Sequence, residues 1–168
     1  QREHQEFMGT VEATAHENGA VIAALPRDGI AVFPADDECA PIWRELAGER
    51  QVLDFGFRQP AAIAARFASI PGGIRLGLQS PAGPLECTLR LAGAHNAHNA
   101  VAAATAALAA GIDPDLIRQG LQAFTPVTGR GVIQRTANGA TVIDDTYNAN
   151  PDSVRAAIDL LAALDGPR

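Results

Sequence analysis

Apolar residues recur at helical spacing over Thr10–Leu25, at Val11, Ala15, Val21, Ile22 and Leu25, and predict a helix with Asn18-Gly19 as a weak point near its middle. A Pro26-Arg27-Asp28-Gly29 turn separates it from Ile30-Ala31-Val32-Phe33, an apolar run typical of a buried parallel strand. Asp36 can cap a second helix over roughly Glu38–Ala47, with Ile42, Trp43 and Leu46 on its inner face. Gln51–Phe55 reads as the next strand. Helix and strand alternate, which favours a parallel α/β sheet.

The period changes near residue 60. Ala62–Ile70, Gly73–Gln79 and Leu85–Leu91 are strand-like runs joined by Pro/Gly turns, and Ile74, Leu76, Leu78, then Leu85, Cys87, Leu89, Leu91 alternate with polar or small residues. They predict a three-stranded antiparallel meander. Helices return with the Ala-rich His95–Ala110, stopped by Gly111, and with a helix capped by Asp113-Pro114 that turns Leu116, Ile117, Leu121 and Phe124 inward. Thr125-Pro126-Val127-Thr128-Gly129 is the best linker, so a domain boundary is placed near residue 128. A fresh α/β start follows: Val132–Arg135, an Asn138-Gly139 hairpin turn, and Thr141–Ile143, whose Val142-Ile143 reads as a short buried strand. In the last helix Val154, Ala157, Ile158 and Leu161 keep the spacing of one buried face. This second unit is too short for its own core, and the chain, starting without Met, reads as a piece of something longer.

Composition narrows the function classes. All thirteen basic residues are arginine, so no G-x-x-x-x-G-K-[ST] phosphate loop exists in these 168 residues, nor does G-x-G-x-x-G. A net charge of -6 argues against nucleic acid as the main partner. No apolar run is long enough for a membrane span, and the polar Gln1-Arg2-Glu3-His4 start is no signal peptide. Cys39 and Cys87 lack the spacing of a Cys-rich zinc site and read as two reduced thiols of a cytosolic protein.

Four places can carry chemistry. Asp144-Asp145-Thr146-Tyr147-Asn148-Ala149-Asn150-Pro151 follows a strand and opens a helix, with Asn150 as N-cap, Pro151 in the first turn and Asp152 set against the dipole. Ligands of open α/β sheets bind beyond the carboxyl ends of strands; the alternative is a capped turn with solvated acids. Asn96 and Asn99 share one face at the start of the Ala-rich helix and can read an adenine edge, the alternative being helix capping. Arg130 in Gly129-Arg130-Gly131 can reach into an interdomain cleft toward ribose or phosphate, or stay a surface arginine. His4 with Glu6 can ligate a metal, or be a solvated turn.

Taken in order, Glu3-His4-Gln5-Glu6, Gly93-Ala94-His95-Asn96 with Asn99-Ala100, Gly129-Arg130 and Asp144–Ser153 resemble the Mur ligases, ATP-dependent amide-forming enzymes of cytoplasmic peptidoglycan synthesis. The resemblance covers essentially the whole chain. It implies an α/β fold in which residues 1–127 are the latter part of a central ATP-binding domain and 128–168 the start of a truncated Rossmann-like C-terminal domain. It implies ATP and Mg2+ as cofactors, with His4 a magnesium ligand, Asn96 and Asn99 near adenine, and Arg130 and Asp145 on the ribose. Tyr147, Asn148 and Asn150 would lie beside the phosphate and incoming-substrate region without individual roles, and no residue is assigned as catalytic. The Asp144–Ser153 string implies UDP-N-acetylmuramoyl-tripeptide and D-alanyl-D-alanine as substrates of a monomer. Two departures stand out: Asn18 occupies the place of a carbamylated lysine that binds magnesium in many relatives, and Thr146 replaces the more usual Ser. Lacking a phosphate-loop lysine, the isolated chain is expected to be inactive. The competing readings are a non-catalytic nucleotide-binding module and a folylpolyglutamate-synthase-like ligase of the same superfamily.

Overall fold

A computed structural model of the chain describes residues 9–147, 149 and 151–162. Helix α1 (Val11–Ala23) starts on Thr10, whose hydroxyl accepts the Ala13 N–H at 3.0 Å. Strand β1 (Ile30–Ala31) pairs in parallel with β2 (Gln51–Val52), with Ile30 opposite Gln51. The ladder continues past both: Leu53 donates to the Ala31 carbonyl at 2.9 Å, Phe55 to Phe33 at 3.2 Å and Ala35 to Phe55 at 2.7 Å. The alternation expected from the sequence is therefore present as parallel pairing, with helix α2 (Ala40–Ala47) as the crossover.

Three expectations need correction here. Gly19 is no weak point: it is buried, and a Cβ on it would lie 2.4 Å from Leu46 Cδ1 and 3.0 Å from Trp43 Cδ1, so its bareness lets α2 approach. The buried stripe of α1 runs Ala15, Gly19, Ile22, which leaves Val11 and Val21 at 45% and 68% exposure. Asp36 does not cap α2. Asp37 prepares that entry, accepting the Cys39 N–H at 2.8 Å, while Asp36 accepts the successive N–H groups of Phe57 (2.6 Å), Arg58 (3.2 Å) and Gln59 (2.7 Å). Burial would raise the Asp36 carboxyl, but these bonds and the Arg58 charge outweigh it and hold the group below its ordinary value.

Arg50 locks this layer. Its guanidinium donates to the carbonyls of Ala23 and Leu25 at 2.9 Å each, and of Pro26 and Ala47 at 3.3 Å each, so one side chain serves the open ends of α1 and α2.

At Asp54 the chain passes between sheets. Its carboxylate, 6% exposed, meets Arg44 at 2.6 Å and accepts the Ala62 N–H at 2.8 Å. Beyond it β3 (Phe55–Gly56) pairs in parallel with β4 (Ile63–Ile70), and β4, β5 (Gly73–Ser80) and β6 (Gly83–Leu89) run antiparallel. The expected meander is present, as part of a four-stranded sheet in the order β3-β4-β5-β6. Ile63, Ile74, Leu76, Leu78, Leu85, Cys87 and Leu89 form its buried face. Helix α3 (Ala94–Ala109) covers that face with Ala97, Ala100, Val101 and Ala104, small side chains that let helix and sheet close up. Thr105, fully buried, satisfies its hydroxyl on the Val101 carbonyl at 2.8 Å.

Helix α4 (Pro114–Ala123) is capped by Asp113, which accepts the Asp115 N–H at 2.8 Å. It meets the sheet core along Ile117 and Leu121 only; Leu116 and Phe124, expected inward, are 59% and 48% exposed. Strands β7 (Val132–Arg135) and β8 (Thr141–Asp144) form the expected hairpin, closed by Gly139 at φ +85° donating to the Thr136 carbonyl at 2.9 Å. Helix α5 (Pro151–Ala162) follows. The buried faces expected here are not buried: Val142, Val154, Ile158 and Leu161 are exposed and line an apolar groove between β8 and α5, whereas Leu160 is the buried residue of α5. Period alone places a face; burial needs a facing layer, and the described residues supply none over this groove. Cys39 and Cys87 are free and buried. No helix among the described residues is long and apolar enough to cross a membrane.

Candidate functional site

A cavity of about 680 Å³ opens between the first turns of α3, the end of β6, the end of α4 and the β8–α5 turn. Asn96, Asn99, Arg130 and Asp145, picked from three separate stretches of sequence, all line it. Leu89, Leu91, Leu121, Phe124, Pro126 and Val127 give it apolar walls.

The asparagines divide their work. Asn96, half-buried, donates its Nδ2 to the Ala92 carbonyl at 2.7 Å and so closes the entry of α3, where Gly93 supplies no side-chain cap. Asn99, one turn further on, is exposed and forms no side-chain hydrogen bond with the described residues, which leaves its donors and acceptor for a ligand. His95 lines the cavity too. His98 points elsewhere: its ring stacks on Phe57 at 4.3 Å, and Phe57 meets Phe67 edge-on at 5.6 Å. Burial lowers the His98 pKa; the Asp36 carboxylate opposes that shift and the Arg58 charge adds to it.

The paired acids at the end of β8 also differ. Asp144 locks the turn, accepting the Thr146 hydroxyl at 2.7 Å and its N–H at 3.4 Å. Asp145 faces the cavity and accepts the Gly131 N–H at 3.1 Å. In the other direction Tyr147 donates its N–H to the Gly129 carbonyl at 3.0 Å. The Gly-Arg-Gly segment is thus stitched to the strand end on both sides of Arg130. Gly129, buried at φ +79°, is required there, since a Cβ would press on Thr146 Oγ1 and the Tyr147 nitrogen at 3.3 Å each. The Arg130 guanidinium carbon lies 3.9 Å from the Tyr147 ring centroid.

His4, Asn148 and Asn150 lie outside the described residues, and Asn18 is an exposed residue of α1. Among the described residues no group of three or more His, Cys, Asp or Glu could hold a metal ion. The sequence reading turned Leu121 and Phe124 inward and gave Tyr147 no individual role; Leu121 does pack against the core, and all three line the cavity. Nothing in an apolar residue's period tells a cavity wall from a core contact. Apolar walls, a free carboxamide and a carboxylate beside a guanidinium suit a flat heteroaromatic ring joined to a polyhydroxy group. Among the described residues of the lining Arg130 is the one permanent cation, few for holding a polyphosphate.

Comparison with known proteins agrees with this geometry. The family model for the Mur ligase middle domain matches residues 1–107. UDP-N-acetylmuramoyl-tripeptide–D-alanyl-D-alanine ligase of Escherichia coli (strain K12) is 34% identical over 98% of this chain and 37% of its own length. A crystal structure of MurF from Acinetobacter baumannii superposes with a TM-score of 0.89 at 31% identity, covering 97% of this chain and 36% of that one. MurF ligase of Thermotoga maritima, solved in complex with ADP, shares the fold with a TM-score of 0.81 at 23% identity over 98% of this chain and 38% of that one. The chain therefore spans little more than a third of the length of these relatives. Over that third, sequence and architecture together make this chain a member of the Mur ligase family.

Proposed function

We propose that the cavity holds the nucleoside of ATP, and that the chain belongs to an ATP-dependent ligase joining D-alanyl-D-alanine to UDP-N-acetylmuramoyl-tripeptide through an acyl phosphate. The observation that carries this reading is the convergence of Asn99, Arg130 and Asp145 on one apolar-walled cavity. Asn99 reads the edge of the base, Asn96 holds the helix start that carries it, and the apolar walls cover the ring faces. Asp145 and Arg130 take the ribose hydroxyls, the free oxygen of Asp145 accepting while the guanidinium donates. Residues 1–127 act as the latter part of the ATP-binding domain and 128–168 as the start of the next, a division supported by the family match over 1–107 and by the segment free of helix and strand between α4 and β7.

ATP supplies the phosphoryl group that activates the carboxylate. This chain's residues contribute orientation: they fix the nucleoside so that the phosphates leave the cavity on a defined line. The phosphate cradle is not encoded in these 168 residues, which hold no lysine. Magnesium belongs to the same reading, with His4 as its proposed ligand. The protein acts in the cytoplasm as a monomer.

The cradle's absence yields a sharp test. Adenosine and ADP titrated into the chain should shift the Asn99 and Arg130 side-chain resonances with affinities within about threefold of each other, because phosphates add little here. Asn99→Ala should weaken both about tenfold, a change equivalent to one lost hydrogen-bonded contact to the base. Absence of any shift at several millimolar ligand would dispose of the nucleoside assignment. With ATP, magnesium, the tripeptide precursor and dipeptide, the isolated chain should release no phosphate; turnover would show that the chemistry does not need the missing lysine.

A further inference from the structure

We propose that Tyr147 is a positioning residue for the nucleotide, acting through Arg130: its ring carries the guanidinium and sets the arginine's reach into the cavity. This rests on the nucleoside reading above.

Four observations support it. The guanidinium carbon stands over the ring, 3.9 Å from its centroid, well within cation–π range. Among the described residues Arg130 has no ion pair and no side-chain hydrogen bond, so the ring is what restrains an otherwise freely rotating exposed side chain. Stacking uses the face of the guanidinium and leaves its in-plane N–H donors available, whereas an ion pair with Asp145 would consume donors and acceptor that a ribose needs. Finally, the main-chain segments that carry the two side chains are fixed to each other, because the Tyr147 N–H is bound to the Gly129 carbonyl at 3.0 Å and Asp145 holds Gly131 on the other side. Tyr147 is 67% exposed and belongs to neither core cluster, so packing in the core does not account for it.

The phenol hydroxyl has no part in this arrangement, and the chain holds a single tyrosine, which makes the test clean. In the ligand-free chain, ring current should move the Arg130 side-chain protons upfield; Tyr147→Phe should keep that shift and Tyr147→Leu abolish it. ADP affinity should stay within about twofold of wild type in Tyr147→Phe and fall about three- to fivefold in Tyr147→Leu, the upper part of the range expected for an exposed cation–π contact. In an Arg130→Ala background, Tyr147→Leu should have no further effect, since the ring then has nothing to position. Equal affinities of wild type and Tyr147→Leu, or additive losses in the double variant, would overturn the positioning role while leaving the nucleoside site intact. Failure of the wild-type chain to bind ADP at all would instead remove the nucleoside reading and this role with it.

Discussion

His98 shows how the two ends of the residue scale, burial and charge, can be separated by titration. Its imidazole lies on Phe57 in a partly dry environment, which favours the neutral ring; Asp36 pulls the other way and Arg58 reinforces burial. A histidine whose folded pKa lies below its unfolded value leaves stability unaffected above about pH 6.5 and lowers it as pH falls through the folded value. The chain should therefore lose stability as pH falls below about 6.5, and His98→Phe, which retains a ring on Phe57, should flatten that dependence. Parallel urea midpoints for the two proteins across this range would show that His98 is not the group responsible. The same residue illustrates a limit of reading by type: three polar residues of the α3 entry look alike in sequence, yet Asn96 serves the backbone, His98 an aromatic stack and Asn99 the cavity.

Among the elements, the tightest constraint lies where β5 begins. A Cβ on Gly73 would stand 2.0 Å from the Leu89 carbonyl oxygen, a backbone atom held in the β5–β6 ladder beside the Ile74–Leu89 pair. Gly73→Ala should destabilise the chain by about 2–3 kcal/mol, the usual cost of overpacking an interior. Chemical denaturation measures this directly, and a loss under about 0.5 kcal/mol would mean the ladder yields locally. Periodicity made most elements legible, because each described helix and strand between residues 9 and 123 has a partner layer within the chain. The β3–β4 pairing was not legible: two residues, Phe55 and Gly56, have no period, and their pairing depends on Asp54 holding the Ala62 N–H. The faces of β8 and α5 were misjudged for the opposite reason, since a clear apolar period was present but the described residues hold no layer to cover it. For the site, the polar residues could be named because Asn99, Arg130 and Asp145 fall in strings that resemble Mur ligase motifs, although each residue type is ordinary in its own place. The walls of the cavity could not, as Leu, Phe and Val give the same signal in a core.

At the scale of the whole molecule, the cavity is lined by residues on both sides of the segment that follows α4. Phe124, half exposed, is both a cavity wall and the last residue before the linker, so a bound nucleoside should shield it. Limited chymotryptic cleavage after Phe124 should slow in saturating ADP by at least the fraction of sites occupied; an unchanged rate would mean that the linker moves independently of the cavity. The layer at the other end of the chain has a different kind of unity. Because the Arg50 guanidinium bridges carbonyls from the ends of α1 and α2 and from the turn between α1 and β1, fraying of one helix end should loosen the hold on the other. Amide protons near Ala24 and Gly48, far apart in sequence, should then exchange with solvent in a single correlated opening, a hinge made of one side chain and governed by its rotation.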